Sequence, residues 1–459
     1  MGIASSLALL AKTPRIARSG TSPDPTRPST DGVAIIVGGV GSKKLYNSIK
    51  LSNKFYDVII VGAGPAGNYA AYQLASLGHR VAVLEQKQAT GTDICCTGII
   101  SPACFDSFGI TPDVILATAN SAKFFAPSGE FLRLKTEQAQ AYVIDRASFD
   151  KAITDKAKAK GANYFFSHQV TDITIGKDGV QIEALDHGSS EMFATRAVIM
   201  ANGFKPKLPQ KLGLGRIKHF LIGAQTEIEI KNIDEVELYF NQQIAPGSFA
   251  WLVPTSSNKA LAGLLSTSQA GLYLQKFLLS PFCHGRIISQ KAKIKQRAIP
   301  LGTLPQTYGD RVLVIGDAAG QVKPTTGGGI YLGHLGAKIA ATVLSEALSK
   351  DKLAAAQLSC YQKEWKAKMG KEISLGYRAR QTYGKLSNHQ IERIFNILNS
   401  TGIANAWFNS PNFSFDWHSK LVLAGLRYSI AHPIAKIRYH LPPKFISQAL
   451  SRDDTQGRK

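Results

Sequence analysis

The sequence predicts an α/β fold: a dinucleotide-binding Rossmann unit, an antiparallel-sheet domain and a helical C-terminal region. Three observations predict it. A β-branched run, Tyr56–Val61, leads into the turn Gly62-Ala63-Gly64-Pro65-Ala66-Gly67 and then into helix-like text. Far downstream a second buried run, Arg311–Ile315, leads into another glycine-rich turn and another helix. Between them, residues 220–300 alternate as a half-buried sheet does, with aromatics and turns.

In chain order, residues 1–54 carry eight Lys/Arg against two Asp, with a Ser/Thr/Pro-rich stretch and no sustained period. They read as a flexible or targeting tail. Organelle targeting stays open, as does the short myristoylation pattern at Met1-Gly2 with Ser6. Tyr56–Val61, a helix through Leu77, the Gly78 stop and a strand at Arg80–Leu84 make one β-α-β unit. Helix-like text recurs at Ser148–Lys160, followed by strand-like runs at Val170–Ile175, Val180–Leu185 and Ala197–Ala201. The expected division is 55–105, 141–205 and 296–348 for the dinucleotide domain, and 106–140 with 206–295 for the substrate-binding sheet. Residues 349–459 form the helical C-terminal region.

Composition narrows the classes. The 459 residues hold 44% hydrophobic and 19% charged positions, which excludes a disordered chain. No apolar run reaches the roughly 20 residues that span a bilayer. Five cysteines, Cys95, Cys96, Cys104, Cys283 and Cys360, are too few and too scattered for a disulfide framework, a zinc site or an iron–sulfur cluster. No metal is expected, and the compartment reads as reducing, hence cytoplasmic. The net charge of +22 asks for an anionic partner. From Lys371 to Lys459, thirteen Lys/Arg face five Asp/Glu among interleaved aromatics such as Tyr377, Tyr383, Trp407, Phe408, Trp417, Tyr428 and Tyr439. That pattern suits peripheral attachment to an anionic membrane surface; no nucleic-acid-reading motif accompanies it.

The chemistry-bearing motifs follow. In the first turn, Gly62 permits a tight bend, Gly64 lets backbone approach a pyrophosphate, and Gly67 lets helix and strand pack closely. Pro65 and Ala66 open the helix, whose N-terminus meets the phosphates. Glu85, at the end of the second strand, is placed to accept ribose hydroxyls. This much fits NAD or FAD. The second turn decides for FAD. Gly316-Asp317 can hold a sugar-like chain, Gly327, Gly328 and Gly329 let backbone lie against a flat ring, and the helix from Ile330 aims its positive end at that ring.

These motifs, with Arg146–Asp150 (R-x-x-F-D) and Ala201-Asn202-Gly203, resemble the glutathione-reductase-type FAD-binding Rossmann fold and, within it, the p-hydroxybenzoate-hydroxylase-like branch. The chain is most similar to the geranylgeranyl reductase family. Phe249-Ala250-Trp251-Leu252-Val253-Pro254, eight residues before Gly263, resembles that family's prenyl-cavity signature, although Leu265 stands where its last glycine would be. Cys96-Thr97-Gly98-Ile99-Ile100-Ser101 resembles the segment that members place beside the flavin. The resemblance covers roughly residues 55–400.

The resemblance implies an FAD-dependent reductase that saturates carbon–carbon double bonds of a polyprenyl lipid, quinone or pigment precursor. FAD contacts fall at the glycines above, Gly98 and Arg146. Phe249, Trp251, Pro254 and Gly263 would line the substrate cavity, and Cys96 would donate a proton or tune the flavin. The plainer alternatives are core aromatics and a buried small hydrophobe. Electrons would come from NAD(P)H or reduced ferredoxin, bound transiently, since no second G-x-G-x-x-G unit is present; a small electron-carrier protein is thus a candidate partner. Two rival readings are a flavin-dependent monooxygenase or halogenase of the same fold, and a non-catalytic electron-transfer or lipid-binding flavoprotein.

Overall fold

The computed structural model describes residues 55–423 apart from 291, 411, 412 and 421. The tail at 1–54 and the aromatics Tyr428 and Tyr439 lie outside the described residues.

β1 (Phe55–Val61), α1 (Pro65–Ser76) and β2 (Val81–Leu84) open the described residues as a β-α-β unit in which β1 and β2 run parallel. Pro65 stands in the first turn of α1, where its missing N–H leaves no bond unmade. β3 (Ile99–Ile100) and α2 (Pro102–Phe108) follow, with Ser101 Oγ accepting the Cys104 N–H at 2.9 Å to cap α2. Four strands come next: β4 (Ile115–Ala119), β5 (Ser121–Phe125), β6 (Phe131–Lys135) and β7 (Ala141–Ile144). α3 (Arg146–Ala159) starts two residues before the sequence-based estimate, because Asp145 accepts the Ala147 N–H at 3.0 Å and caps it.

β8 (Asn163–Phe165), β9 (His168–Ile175), β10 (Val180–Asp186) and β11 (Ser189–Met200) return to the first sheet. β11 is longer than the predicted Ala197–Ala201 because it serves two partners. Its first part pairs antiparallel with β10, and its second part pairs parallel with β1. After α4 (Lys207–Lys211) come β12 (Phe220–Ile230), β13 (Val236–Tyr239), β14 (Ala250–Ser256) and β15 (Lys259–Ser266). α5 (Ala270–Leu278) then interrupts the stretch read as continuous sheet: Ala270, Leu274, Phe277 and Leu278 recur at helical spacing and are all buried. β16 (Ile287–Ser289) and β17 (Lys295–Pro300) close this part.

β18 (Tyr308–Gly309) and β19 (Val312–Val314) rejoin the first sheet, whose central order is β18-β19-β11-β1-β2-β8. The second sheet has the order β16-β12-β15-β14-β13-β5-β6, with β17 also on β12. It is mixed rather than wholly antiparallel, since β13 and β5 run parallel. β3, β7 and β4 form a small third sheet between them in sequence. Five helices complete the described chain: α6 (Ile330–Ser349), α7 (Ala355–Trp365), α8 (Lys371–Tyr383), α9 (Asn388–Thr401) and α10 (Ile403–Phe408).

Packing positions the site. α1 and α6 share one core with the inner residues of β1 and β2, such as Val58, Ile60 and Val83. Phe249 and Trp251 on the second sheet share another with Tyr383, Phe395, Trp407 and Phe408 from the C-terminal helices. The helical region therefore covers the sheet face that carries the aromatic pair, while α5 covers the opposite face.

Candidate active site

A cavity of about 1180 Å³ runs from the Gly62–Ala66 turn to the aromatic face of the second sheet. At the first end its wall is main chain. Gly62 has φ +107°, and a Cβ there would lie 2.6 Å from Ala201 O; a Cβ on Gly67 would lie 2.0 Å from Gly62 O. Both are glycine so that the turn can close. Gly64 differs: nothing lies within 4 Å of where its Cβ would stand, and the residue faces the cavity. Glu85 is held by two backbone donors, with Oε2 accepting the Ala63 N–H at 2.7 Å and Oε1 the Lys87 N–H at 3.0 Å. Its remaining lone pairs are available to a ligand. Beside it, both amide atoms of Asn202 are buried in the cavity wall without a protein partner.

Midway, the second glycine turn enters. Gly316, Asp317, Gly327, Gly328, Gly329 and Ile330 all line the cavity, and α6 begins there with its N-terminus towards it. Asp317 Oδ2 pairs with Arg297 Nη2 at 3.1 Å, and Gly329 has no Cβ because Asp317 Oδ1 would stand 2.7 Å from it. Across from this turn lies the loop with Cys95, Cys96, Thr97 and Gly98. Gly98 O accepts the Ile144 N–H at 2.9 Å, which ties the loop to β7. Arg146 is buried and bonds Asp150 at 3.0 and 3.1 Å. Burial opposes its charge, yet Asp150 and the Cys96 thiol against it outweigh burial and hold the guanidinium firmly protonated. Cys95 Sγ faces Lys295 O at 3.5 Å, and burial with the neighbouring Cys96 pushes its thiol up to about 11. Cys104 is fully buried, and desolvation pushes its thiol far up.

At the far end the wall is side chain. Phe249, immediately before β14, and Trp251 within it both line the cavity, with ring centroids 5.9 Å apart, followed by Val253. Pro254 corrects the sequence-based expectation: strand alternation turns it to the other face, and it is not in the cavity wall. Gly263 also stays out of the wall. It sits opposite Trp251 in register, and a Cβ there would stand 2.4 Å from the indole. Its role is to seat Trp251. Leu265, where the signature glycine would be, lines the cavity itself.

Sequence reasoning missed several wall residues. Gln225 and Arg297 line the cavity, as do Phe413, Phe415, Asp416 and His418 of the segment Phe413–His418. That segment is anchored by Lys323 Nζ on Asp416 Oδ1 at 3.1 Å, and by Glu372, whose two oxygens accept the His418 and Ser419 N–H groups at 2.7 and 2.8 Å. In the strand text LIGAQTEI nothing sets Gln225 apart from its polar neighbours Thr226 and Glu227, so no sequence signal pointed to it. Among the described residues, His168, Asp186 and Glu191 bring possible metal-ligand atoms within 4.8 Å of one another. There His168 Nδ1 donates to Phe166 O, and Nε2 faces Glu191 Oε2 at 3.3 Å.

Comparison with known proteins bears on what this cavity holds. Residues 56–245 match the pyridine nucleotide-disulphide oxidoreductase family model. The chain is 30% identical over 362 residues to digeranylgeranylglycerophospholipid reductase of Methanocaldococcus jannaschii, covering 75% of this chain and 91% of that protein. It belongs to the geranylgeranyl reductase family. The reductase of the same name from Methanococcus vannielii is 29% identical over 74% of this chain and 89% of its own length. Among solved structures, a geranylgeranyl bacteriochlorophyll reductase-like protein from Thermoplasma acidophilum superposes with a TM-score of 0.72. It is 19% identical and covers 86% of this chain and 99% of its own. The flavin-dependent halogenase CmlS, at TM-score 0.60 and 17% identity over 83% of this chain and 78% of its own, shares the fold.

This geranylgeranyl reductase family member is an FAD-dependent oxidoreductase, and the family reading of prenyl double-bond reduction outweighs the halogenase one. Its residues fit the cofactor: Gly64 leaves an open cradle, Asn202 offers orphaned polar atoms, and a helix N-terminus stands at each glycine turn. No helix of the described residues is long and apolar enough to cross a membrane.

Proposed function

We propose that the chain saturates geranylgeranyl double bonds of a membrane lipid, with the prenyl chain in the aromatic half of the cavity and FAD in the glycine-built half. The carrying observation is that one cavity joins both halves. The relatives' names as digeranylgeranylglycerophospholipid reductases support the substrate class. FAD, when bound, supplies a hydride for one alkene carbon. Gly62, Gly64, Pro65, Ala66, Gly67 and Glu85 would hold its adenosine and pyrophosphate. Gly98, Arg146, Gly316, Asp317, Gly327, Gly328, Gly329 and Ile330 would hold the rest.

The chain's own groups do the remaining work. An unactivated alkene accepts hydride poorly, so the site must exclude water and hold the chain in one pose. Phe249 and Trp251, buried against the C-terminal helices, supply a dry aromatic wall for that. Cys96 would give its Sγ proton to the second alkene carbon, and the Arg146 guanidinium against it would stabilise the thiolate left behind. Electrons would come from NAD(P)H or reduced ferredoxin. The net charge of +22 supports peripheral attachment to anionic lipid.

The test is anaerobic turnover of a geranylgeranyl glycerophospholipid by dithionite-reduced enzyme, read by mass spectrometry. Saturation should add about two mass units per bond. With the substrate in anionic vesicles, raising salt should slow the reaction, whereas detergent-dispersed substrate should be unaffected. No mass gain, or oxygen consumption with a phenolic substrate in its place, would overturn the function; equal salt response in both would overturn the attachment.

A further inference from the structure

We infer that Gln225 is a positioning residue that sets the Cys96 thiol in the cavity. The inference rests on the proton-donor reading of Cys96. The loop that carries Cys96 has no regular structure between residues 91 and 98, so its own backbone does not fix the thiol. Gln225 reaches it from β12, on the other side of the cavity wall. Its Nε2 donates to Cys96 O at 3.2 Å, and its Oε1 accepts the Thr97 hydroxyl at 2.8 Å. The carbonyl of Cys96 can only accept, so the amide has one orientation in which both bonds form.

Gln225 pairs in register with Lys295 on β17, and Lys295 O faces the Cys95 thiol at 3.5 Å. One rung of the second sheet thus holds three consecutive loop residues. Arg146 lines the same cavity as Cys96, and its charge interacts with the thiol. The main chain of Cys96 is thus pinned from the sheet, with the α3 guanidinium acting on its sulfur electrostatically.

Glutamine is the side chain that meets both demands. Glutamate keeps the acceptor for Thr97 but turns a carboxylate oxygen on Cys96 O, and adds negative charge near a thiol that must ionise. Leucine keeps much of the bulk and loses both bonds. Asparagine is one methylene short. Gln225 is itself 9% exposed, so water cannot freely replace the lost partner.

The experiment compares Gln225→Leu, Gln225→Glu, Thr97→Val and Cys96→Ser in the FAD-loaded enzyme, with flavin content as the folding control. Two readouts are used. Iodoacetamide labelling of Cys96 across pH, resolved from Cys95 by fragment-ion mass spectrometry, reports the thiol's placement and ionisation without any turnover. Steady-state reduction reports kcat and KM.

Gln225→Leu and Gln225→Glu should change the Cys96 labelling rate at least threefold. Their kcat should fall about tenfold with KM within about twofold, and Cys96→Ser combined with Gln225→Leu should be no slower than Cys96→Ser alone. Thr97→Val, which removes one of the two bonds, should fall between. Wild-type labelling profiles in both Gln225 variants would overturn the inference, as would additive losses in the double variant. If Gln225→Leu fails to load flavin, Thr97→Val with a wild-type profile overturns it alone. Full activity in Cys96→Ser refutes the proton-donor reading instead, and the labelling profiles still decide whether Gln225 holds the thiol.

Discussion

Around the Gly62–Gly67 turn the cavity wall is main chain, whereas around Phe249 and Trp251 it is side chain. The first kind of wall suits a ligand that is the same in every turnover, because backbone N–H groups and helix ends recognise phosphates without adjustable parts. The second suits a flexible hydrocarbon, which offers no hydrogen bonds and is held by shape and exclusion of water. Damage to the two walls should therefore have different consequences.

The largest effect is expected at the main-chain end. Gly64→Arg should give folded protein without flavin colour, since its Cβ position is open towards the cavity. Gly67→Ala should instead yield little folded protein, because its Cβ would stand 2.0 Å from a backbone oxygen. Circular dichroism and flavin absorbance on both variants check this. Full flavin retention in Gly64→Arg would remove the cofactor from this wall.

A smaller, pH-dependent effect belongs to the helix packed behind that wall. His334 on α6 is wedged between Tyr69 and Phe108, with ring centroids 3.9 and 4.3 Å away. Burial, with Lys338 and Lys368, pushes its pKa down to about 4. An unfolded histidine titrates near 6.5, so between about pH 6.5 and 4 the unfolded chain takes up a proton that the native state refuses. Stability is held above that window and lost as pH falls through it, by roughly 3 kcal/mol at most. His334→Phe should flatten this acid limb, measured by urea denaturation at about pH 7 and about pH 4.5. An unchanged slope would mean that other groups carry it.

The smallest expected effect sits at the side-chain end. Gly263→Ala should cost roughly 1–3 kcal/mol as the new methyl crowds the indole. It should retain flavin and raise KM for the prenyl substrate. Loss of flavin in this variant would erase the distinction between the walls.

The same contrast explains what the sequence disclosed. Gly62 and Gly67 were legible because a sterically forbidden Cβ leaves one residue type, and the turn lies within a few positions of the strand and helix that frame it. Gly329 was legible for a similar reason, since a Cβ there would stand 2.7 Å from Asp317 Oδ1. Pro254 was misplaced because a motif conveys adjacency in the chain, while strand alternation decides which face a residue takes. Gln225 and Arg297 were invisible because their partners, Thr97 and Asp317, are remote in sequence and meet them through packing of separate layers. The Phe413–His418 segment was hidden likewise, since buried contacts of Ser101, Lys323, Thr325 and Glu372, all remote in sequence, bring it to the wall.

The indole of Trp251 and the bare backbone of Gly263 constrain how this protein can change over generations. Any larger residue at 263 meets a ring already in place, so the tryptophan has to shrink first. Even then position 263 is not free, because a Cβ there would also stand 2.8 Å from the backbone oxygen of Ala224 on β12. The position is thus closed from two sides, and a side chain at 263 asks for a shift of β12 as well as a smaller residue at 251.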